Sequence, residues 1–421
     1  MTDLAKHNQT MRKLFESSDF DSLRSMVDLD TIDAILRQCL SIEEMREAGS
    51  FFTGQSLATK AVASLQKPID FDSIILDPNC GAGNLLIECS RKLETKSTLS
   101  LTLQCWGKVL WGFDIYTHFI EAAKIRIVIE AVNRGVLVDC SLEDAFNLLA
   151  NIRVQDALLA DKNDLGHVTH AIMNPPFSVW PSPIENYWKR GKVNAAGVFF
   201  DKYLRLLPHF CCISAILPDV LRSGSRYSDF RDFANLNFHG KCMVWGRFSP
   251  KAHVDVFILS GSLLMDDKYF INWHKDLGSY TPISDFYDVT TGPLVAYRDP
   301  EEGKLYPYFH PKNCPVWGTV DEVTEKRRFN GRVVEPPVIL VKRTSSPSGK
   351  NRASATIINI TGLIAVENHM LIIKPKSKKL KDCYNLLKIL NSQETNDYLN
   401  DRARMRHLTV QIIKDIPFKW S

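Results

Sequence analysis

The sequence predicts an α/β protein built on a doubly wound, mostly parallel sheet, followed by a C-terminal region of mixed α+β structure. Three observations carry that expectation. From about residue 50 to 260, short apolar runs alternate with helical stretches, the pattern of strands joined by crossover helices. The first of these runs ends in a turn of small residues that opens a helix. Beyond about residue 265 the alternation gives way to a stretch richer in Pro, Gly, Tyr and Asp, then to strand-like runs and a helical pair.

Taken in order, residues 1–48 read as short amphipathic helices, with Leu14, Met26, Ile32, Ile35, Leu36 and Leu40 at helical spacing. The expected strands are SIILD at 73–77, VLWGFD at 109–114, HAIMN at 170–174, ISAILP at 213–218 and DVFILS at 255–260. Helical segments such as FIEAAKIRIVIEAVNRG lie between them, and RKLETKSTLSLTLQCWGK reads as an extension of the first helix and its loop. Residues 265–335 read as loops and short strands. PVILVKRT and HMLIIKP then form strands, and a helical pair follows near 379–406. The expected division is 1–48, 49–264 and 265–421.

The 421 residues are 45% hydrophobic and 24% charged, a globular mixture that excludes collagen, low-complexity disorder and a disulfide miniprotein. Basic residues exceed acidic ones by four, but residues 331–421 alone carry +9, which leaves −5 on residues 1–330. Ten scattered cysteines form no CxxC pair, and there is no HExxH, so no metal site is expected. Unpaired cysteines, the lack of a signal peptide and the lack of an apolar run of about 18 residues imply a cytoplasmic protein.

The strongest local signal is Asp77-Pro78-Asn79-Cys80-Gly81-Ala82-Gly83-Asn84-Leu85-Leu86, after a strand and opening a helix. Its small residues let backbone N–H groups approach a ligand, and the acid suits a cofactor bearing an ammonium group. It is neither GxGxxG nor GxxxxGK[ST], which disfavours a pyrophosphate cofactor. Asp114 ends the next strand, where an acid takes ribose hydroxyls. Asp156 in VQDALL either accepts from an adenine amino group or caps a helix. Strand HAIM ends in Asn174-Pro175-Pro176-Phe177. Two prolines stop the ladder and hold a carbonyl and the Asn amide outward, and Phe177 offers a stacking plate for a planar amine.

Asp77 to Leu86 resembles the methyl-donor loop of S-adenosylmethionine-dependent methyltransferases. Asn174-Pro175-Pro176-Phe177 resembles the catalytic motif of amino-methyltransferases acting on adenine in DNA. Phe51-Phe52-Thr53-Gly54-Gln55-Ser56-Leu57-Ala58 is similar to the segment preceding the sheet in that family, with Thr53-Gly54 where Thr-Pro is usual. The order of the three resembles the γ group of N6-adenine DNA methyltransferases, seen in type II modification enzymes and type I modification subunits.

The resemblance implies a class I methyltransferase fold for 49–264 and a DNA target-recognition domain for 265–421. It implies S-adenosylmethionine as cofactor, held by Thr53, Asp77, Asn79, Gly81, Gly83, Asp114, Ile115 and Asp156. It implies catalysis by Asn174, Pro175, Pro176 and Phe177, with Phe248 packing against an extruded base. The partner is duplex DNA, met by Arg343, Lys350 and Arg352, and any cognate restriction endonuclease is a separate polypeptide. Leu390-Asn391-Ser392, His407-Leu408-Thr409 and Ile416-Pro417 resemble the recognition domain of type II members. A type I modification subunit and an RNA or protein-glutamine methyltransferase remain the alternatives.

Overall fold

The computed structural model describes residues 2–24, 27–30, 53–184, 187–248, 254–263, 271–346, 349–404 and 406–419. The chain folds as two compact units, Met1–Trp273 and His274–Ser421.

The first unit is built on seven strands: β1 (Ile75–Asp77), β2 (Leu110–Asp114), β3 (Ile152–Val154), β4 (His170–Met173), β5 (Cys212–Pro218), β6 (His239–Arg247) and β7 (Asp255–Ser262). They lie in the order β3-β2-β1-β4-β5-β7-β6. Every pair from β3 to β5 is parallel, and β7 runs antiparallel to both β5 and β6. The doubly wound, mostly parallel sheet read from the sequence is therefore present. The chain moves outward from β1 through β2 to β3, then returns to place β4 on the other side of β1. That reversal opens a crevice at the carboxyl ends of β1 and β4, where such sheets take their ligands.

All residues of β1 and β4 are buried. Both faces of these strands are covered, which is why they read as continuous apolar runs rather than alternating ones. β6 is not among the expected strands. Its sequence, HGKCMVWGR, mixes glycine and charge into the apolar run, and the ladder slips between Val244 and Gly246. It lies at the sheet edge and is mostly half-exposed, so no clean period marks it.

The helices are α1 (Thr2–Glu16), α2 (Gln55–Ala63), α3 (Asn84–Ser90), α4 (Leu99–Val109), α5 (Thr117–Asn133) and α6 (Ala195–Leu206). α5 buries residues all round, from Phe119 to Ala131. Such a helix needs cover on its outer side, and α1 supplies it. Leu4 and Met11 are buried, Asn8 Nδ2 donates to the His118 carbonyl at 2.9 Å, and Arg12 pairs with Glu121 at 2.7 Å. Of the apolar positions read in the N-terminal segment, Leu14 packs against the core, whereas Met26, Ile32, Ile35, Leu36 and Leu40 lie outside the described residues, as do Phe51 and Phe52. The segment after α3 is not an extension of it. The chain turns at Arg91–Leu93, and Thr98 starts α4 afresh by accepting the Leu101 N–H on its hydroxyl.

The second unit contains a five-stranded and a three-stranded sheet. Its strands are β8 (Tyr287–Thr291), β9 (Lys304–Phe309), β10 (Thr319–Val320), β11 (Lys326–Phe329), β12 (Val338–Lys342), β13 (Ala355–Ile358), β14 (Ala365–Val366) and β15 (Met370–Pro375), in the orders β8-β15-β12-β13-β10 and β11-β9-β14. α7 (Leu380–Leu390) and α8 (Gln393–Arg402) complete it, as the mixed α+β reading requires. Cys383, Leu386 and Leu399 from these helices join Ile339, Val341 and Ile373 in one core. Among the described residues no helix is long and apolar enough to cross a membrane.

Candidate active site

A cavity of about 290 Å³ opens at the carboxyl ends of β1, β2 and β4. Its wall brings together Thr53, Asp77, Asn79, Gly81, Asp114, Ile115, Asp156, Asn174 and Pro176, residues spread over 124 positions of sequence. All but Thr53, which precedes α2, are delivered by the end of a strand or the turn after it, so the sheet fixes their relative positions.

The first turn is held by its own backbone. Asp77, 2% exposed, accepts the Asn79 N–H at 3.1 Å on Oδ1. Cys80 N–H donates to the Phe113 carbonyl at 2.9 Å, which ties the turn to β2. Gly81 and Gly83 have φ of +52° and +83°, the left-handed region that favours glycine. At Gly83 a Cβ would also come within 3.0 Å of the Ala123 Cβ on α5. Gly83 itself does not line the cavity; it lets α3 start where it does.

Asp114 closes the far side. Its Oδ2 accepts the Gly81 N–H at 3.2 Å and its Oδ1 the Tyr116 N–H at 2.9 Å. Burial pushes the Asp77 carboxyl up to about 8, with the nearby Asp114 adding to the rise and the Asn79 N–H opposing it. Burial likewise raises Asp114 to about 6, against the N–H groups of Tyr116 and Gly81. Asn79 Oδ1 is a buried acceptor with no hydrogen-bond partner among the described residues. Two desolvated acids and an orphaned acceptor fit a ligand that brings positive charge and hydroxyl or ammonium donors. Asp156 accepts the Leu158 N–H at 2.8 Å and so caps a turn rather than a helix, and Ile115 is well exposed at the mouth.

On the other side, Asn174 Nδ2 donates to Thr53 Oγ1 at 3.0 Å. Thr53 precedes α2, and Gly54 explains the departure from Thr-Pro. The Gln55 N–H at the start of α2 is capped by Asp30 Oδ1 at 2.9 Å, and a Cβ on residue 54 would come within 2.5 Å of that oxygen. A proline ring there would displace the cap.

Pro175 and Phe177 are not on the cavity wall. Phe177 and Phe248 are buried in an edge-to-face pair, with centroids 5.7 Å apart and planes at 87°. Rings in mutual contact leave no slot for a purine between them. Residues 249–253, which follow Phe248 in the motif, lie outside the described residues.

In the second unit the three residues assigned to DNA differ. Lys350 is exposed and Arg343 half-buried. Arg352 requires a correction. It is 1% exposed, and its guanidinium donates to Ser345 Oγ and Asn400 Oδ1, each at 3.0 Å, and to the Ala403 carbonyl at 2.5 Å. It ties the 345 loop to α8 and is withdrawn from any phosphate. A Ser/Gly-rich basic loop reads as a phosphate site in sequence, and only the fold reveals which of its cations turns inward. In the lysine cluster, Lys376 is engaged with the carbonyls of Ser284 and Asp285, while Lys378, Lys379 and Lys381 are exposed.

Sequence reasoning assigned no role to Gln155, Leu158, Trp180 or Phe199, which also line the cavity, nor to Asn84 and Arg126. Arg126 lies in the apolar run KIRIVIEAV and is fully buried. A lone arginine in such a run is the one signal that could have drawn attention to it.

Residues 30–196 match the family N-6 DNA Methylase. No curated protein matches the chain. Among solved structures, the type IIL restriction-modification enzyme MmeI in complex with DNA is similar with a TM-score of 0.53 at 10% identity, over 92% of this chain and 69% of that one. The type IIG restriction endonuclease BpuSI gives 0.43 at 13% identity, over 91% and 60%. The M protein of the type I restriction enzyme EcoKI gives 0.38 at 16% identity, over 62% and 56%. The chain thus spans about 60% of the length of the BpuSI structure.

Proposed function

We propose, from the match of residues 30–196 to the N-6 DNA Methylase family, that this chain transfers the methyl group of S-adenosylmethionine to adenine N6 in duplex DNA, within a restriction-modification system. The observation that carries the reading is the sharing of one cavity by two acids, the buried Asp77 and the half-buried Asp114, and by Asn174 and Pro176 of the di-proline turn.

S-adenosylmethionine supplies, when bound, a methyl group activated by a sulfonium. Asp77 and the Asn79 amide face its ammonium, Asp114 its ribose hydroxyls, and Asp156 with Ile115 its adenine side. The adenine N6 lone pair is delocalised into the ring and makes a poor nucleophile. Asn174 Oδ1 and the Pro175 carbonyl each accept one N6 hydrogen, which favours a pyramidal nitrogen and stabilises charge that develops during transfer. The rigid di-proline turn would hold these acceptors fixed for a methyl group supplied by the bound cofactor. A duplex buries N6, so the target base is flipped into the cavity. With the two phenylalanines paired, the base stacks on the outer side of the pair rather than between its members. The second unit, net +7 over residues 274–421, docks the duplex.

Purified protein incubated with methyl-labelled S-adenosylmethionine and duplex DNA tests this. Label is expected in DNA, sensitive to DNase and not to RNase or protease. Asn174→Ala is expected to lower transfer by about 10²–10³-fold. Label in RNA or protein alone would overturn the reading.

A further inference from the structure

We infer that Asn84 and Arg126 are positioning residues for the Asn174 amide, acting through Thr53, so that one buried hydrogen-bond relay aligns the donor loop and the methyl-acceptor turn. The inference rests on the functional reading above for its kinetic consequence but on geometry for its existence.

Donors converge on Thr53 from both ends of the relay. Arg126 NH1 donates to Asn84 Oδ1 at 2.6 Å and to the Ala82 carbonyl at 2.5 Å. Asn84 Nδ2 donates to the Thr53 carbonyl at 2.8 Å and to the Leu29 carbonyl at 3.3 Å. Thr53 Oγ1 accepts from Asn174 Nδ2 at 3.0 Å. Arg126, Asn84 and Thr53 are 0%, 4% and 3% exposed, so water does not substitute for these partners.

The chemistry of each group dictates the next. A guanidinium only donates, so Asn84 must turn its oxygen toward Arg126 and its NH₂ toward Thr53. That bond pins the Thr53 backbone and with it the hydroxyl. In the observed geometry that hydroxyl accepts from the Asn174 NH₂. Oδ1 is left as the acceptor end, the polarity that N6 recognition needs. Loss of Thr53 Oγ1 removes the contact that holds the Asn174 NH₂ in the observed orientation.

The same Arg126 nitrogen grips Ala82, inside the turn that faces the cofactor. Donor loop and acceptor amide are therefore set by a single buried cation. Burial pushes the Arg126 guanidinium down to about 9, with Arg91 adding to the fall, while Asp28 and Glu130 support its charge.

The test uses the full-length protein with Thr53→Val, Thr53→Ser, Asn84→Asp and the double variant Thr53→Val/Asn84→Asp. Thr53→Val keeps the shape and loses the hydroxyl. Asn84→Asp keeps an acceptor for Arg126 and loses the N–H that holds Thr53. At saturating S-adenosylmethionine and DNA, Thr53→Val and Asn84→Asp are each expected to lower kcat about 10–100-fold, with KM for S-adenosylmethionine changed less than about threefold. Thr53→Ser is expected to restore kcat to within about threefold of wild type. Links in series are not additive, so the double variant should fall within about twofold of the worse single one. Wild-type kcat in Thr53→Val, or multiplicative losses in the double variant, would overturn the relay.

A second readout does not need activity. In protein labelled with ¹⁵N-asparagine, the Asn174 side-chain NH₂ signal, identified by its loss in Asn174→Asp, should exchange slowly in the wild type. It should shift and exchange faster in both Thr53→Val and Asn84→Asp. An Asn174 signal unmoved by Asn84→Asp would sink the relay. A wild type that methylates nothing would instead sink the functional reading, and the amide signal would still decide the relay.

Discussion

Arg126 in the first unit and Arg352 in the second are both fully buried, and they differ in what the burial achieves. In the first unit Arg126 reaches into a turn and an asparagine that face the cavity, beside two desolvated acids. In the second, Arg352 ties a loop to a helix and faces no described cavity, while the unit's other cations lie mostly at its surface. The first unit, at −3 over residues 1–273, fixes its polar groups by hydrogen bonds; the second, at +7, leaves lysines exposed. Fixed dipoles serve a reaction, because they need not reorganise as charge develops. Exposed, screened charge serves docking on a polyanion, where register matters less than sum.

The largest effect that would break this comparison is at Arg352. Arg352→Ala should destabilise the second unit by about 2–4 kcal/mol, since it strands several buried acceptors and opens a cavity, read as a fall in thermal midpoint. A variant that melts like wild type but binds DNA more weakly would return Arg352 to the DNA surface. The next effect is in the first unit. Asp77, pushed up to about 8, is protonated at neutral pH in the free protein, so binding a cation beside it releases a proton. Affinity for S-adenosylmethionine should rise with pH, by at most about tenfold per unit, and level off above about 8. Asp77→Asn should flatten the profile; calorimetry in buffers of different ionisation enthalpy checks both. The sign for stability is opposite. Because both acids lie above the ordinary 3.8 in the folded state, the ligand-free unit should lose stability as pH rises through about 6 and then about 8. The smallest effect is in docking. If about five phosphates are neutralised, log affinity should fall with log salt at a slope of about −4.5, and Lys350→Ala should reduce that slope by about 0.9 with the thermal midpoint unchanged. A flat salt response would remove the duplex from the second unit.

How much of this is legible in the sequence follows the range of the interactions. β1 with its glycine turn and β4 with its di-proline turn are written in contiguous residues, because strand burial and turn dihedrals are local constraints. β6 is not, because an edge strand with a bulge needs no clean period. Thr53-Gly54 reads as a departure until Asp30 is seen capping Gln55, 25 residues away. Asn84 stands in plain view inside the loop, but its task depends on Arg126, 42 residues on, and on Thr53, 31 residues back. Arg352 is misread for the same reason: a guanidinium in a basic loop looks alike in sequence whether it faces solvent or Ala403.

The central claim is that the first unit methylates adenine in DNA, and sequencing of host DNA tests it most directly. Cells expressing the wild-type chain should carry N6-methyladenine at one recurring sequence, and cells expressing Asn174→Ala should not. DNA without N6-methyladenine from wild-type cells, or the same marks from the Asn174→Ala variant, would contradict it.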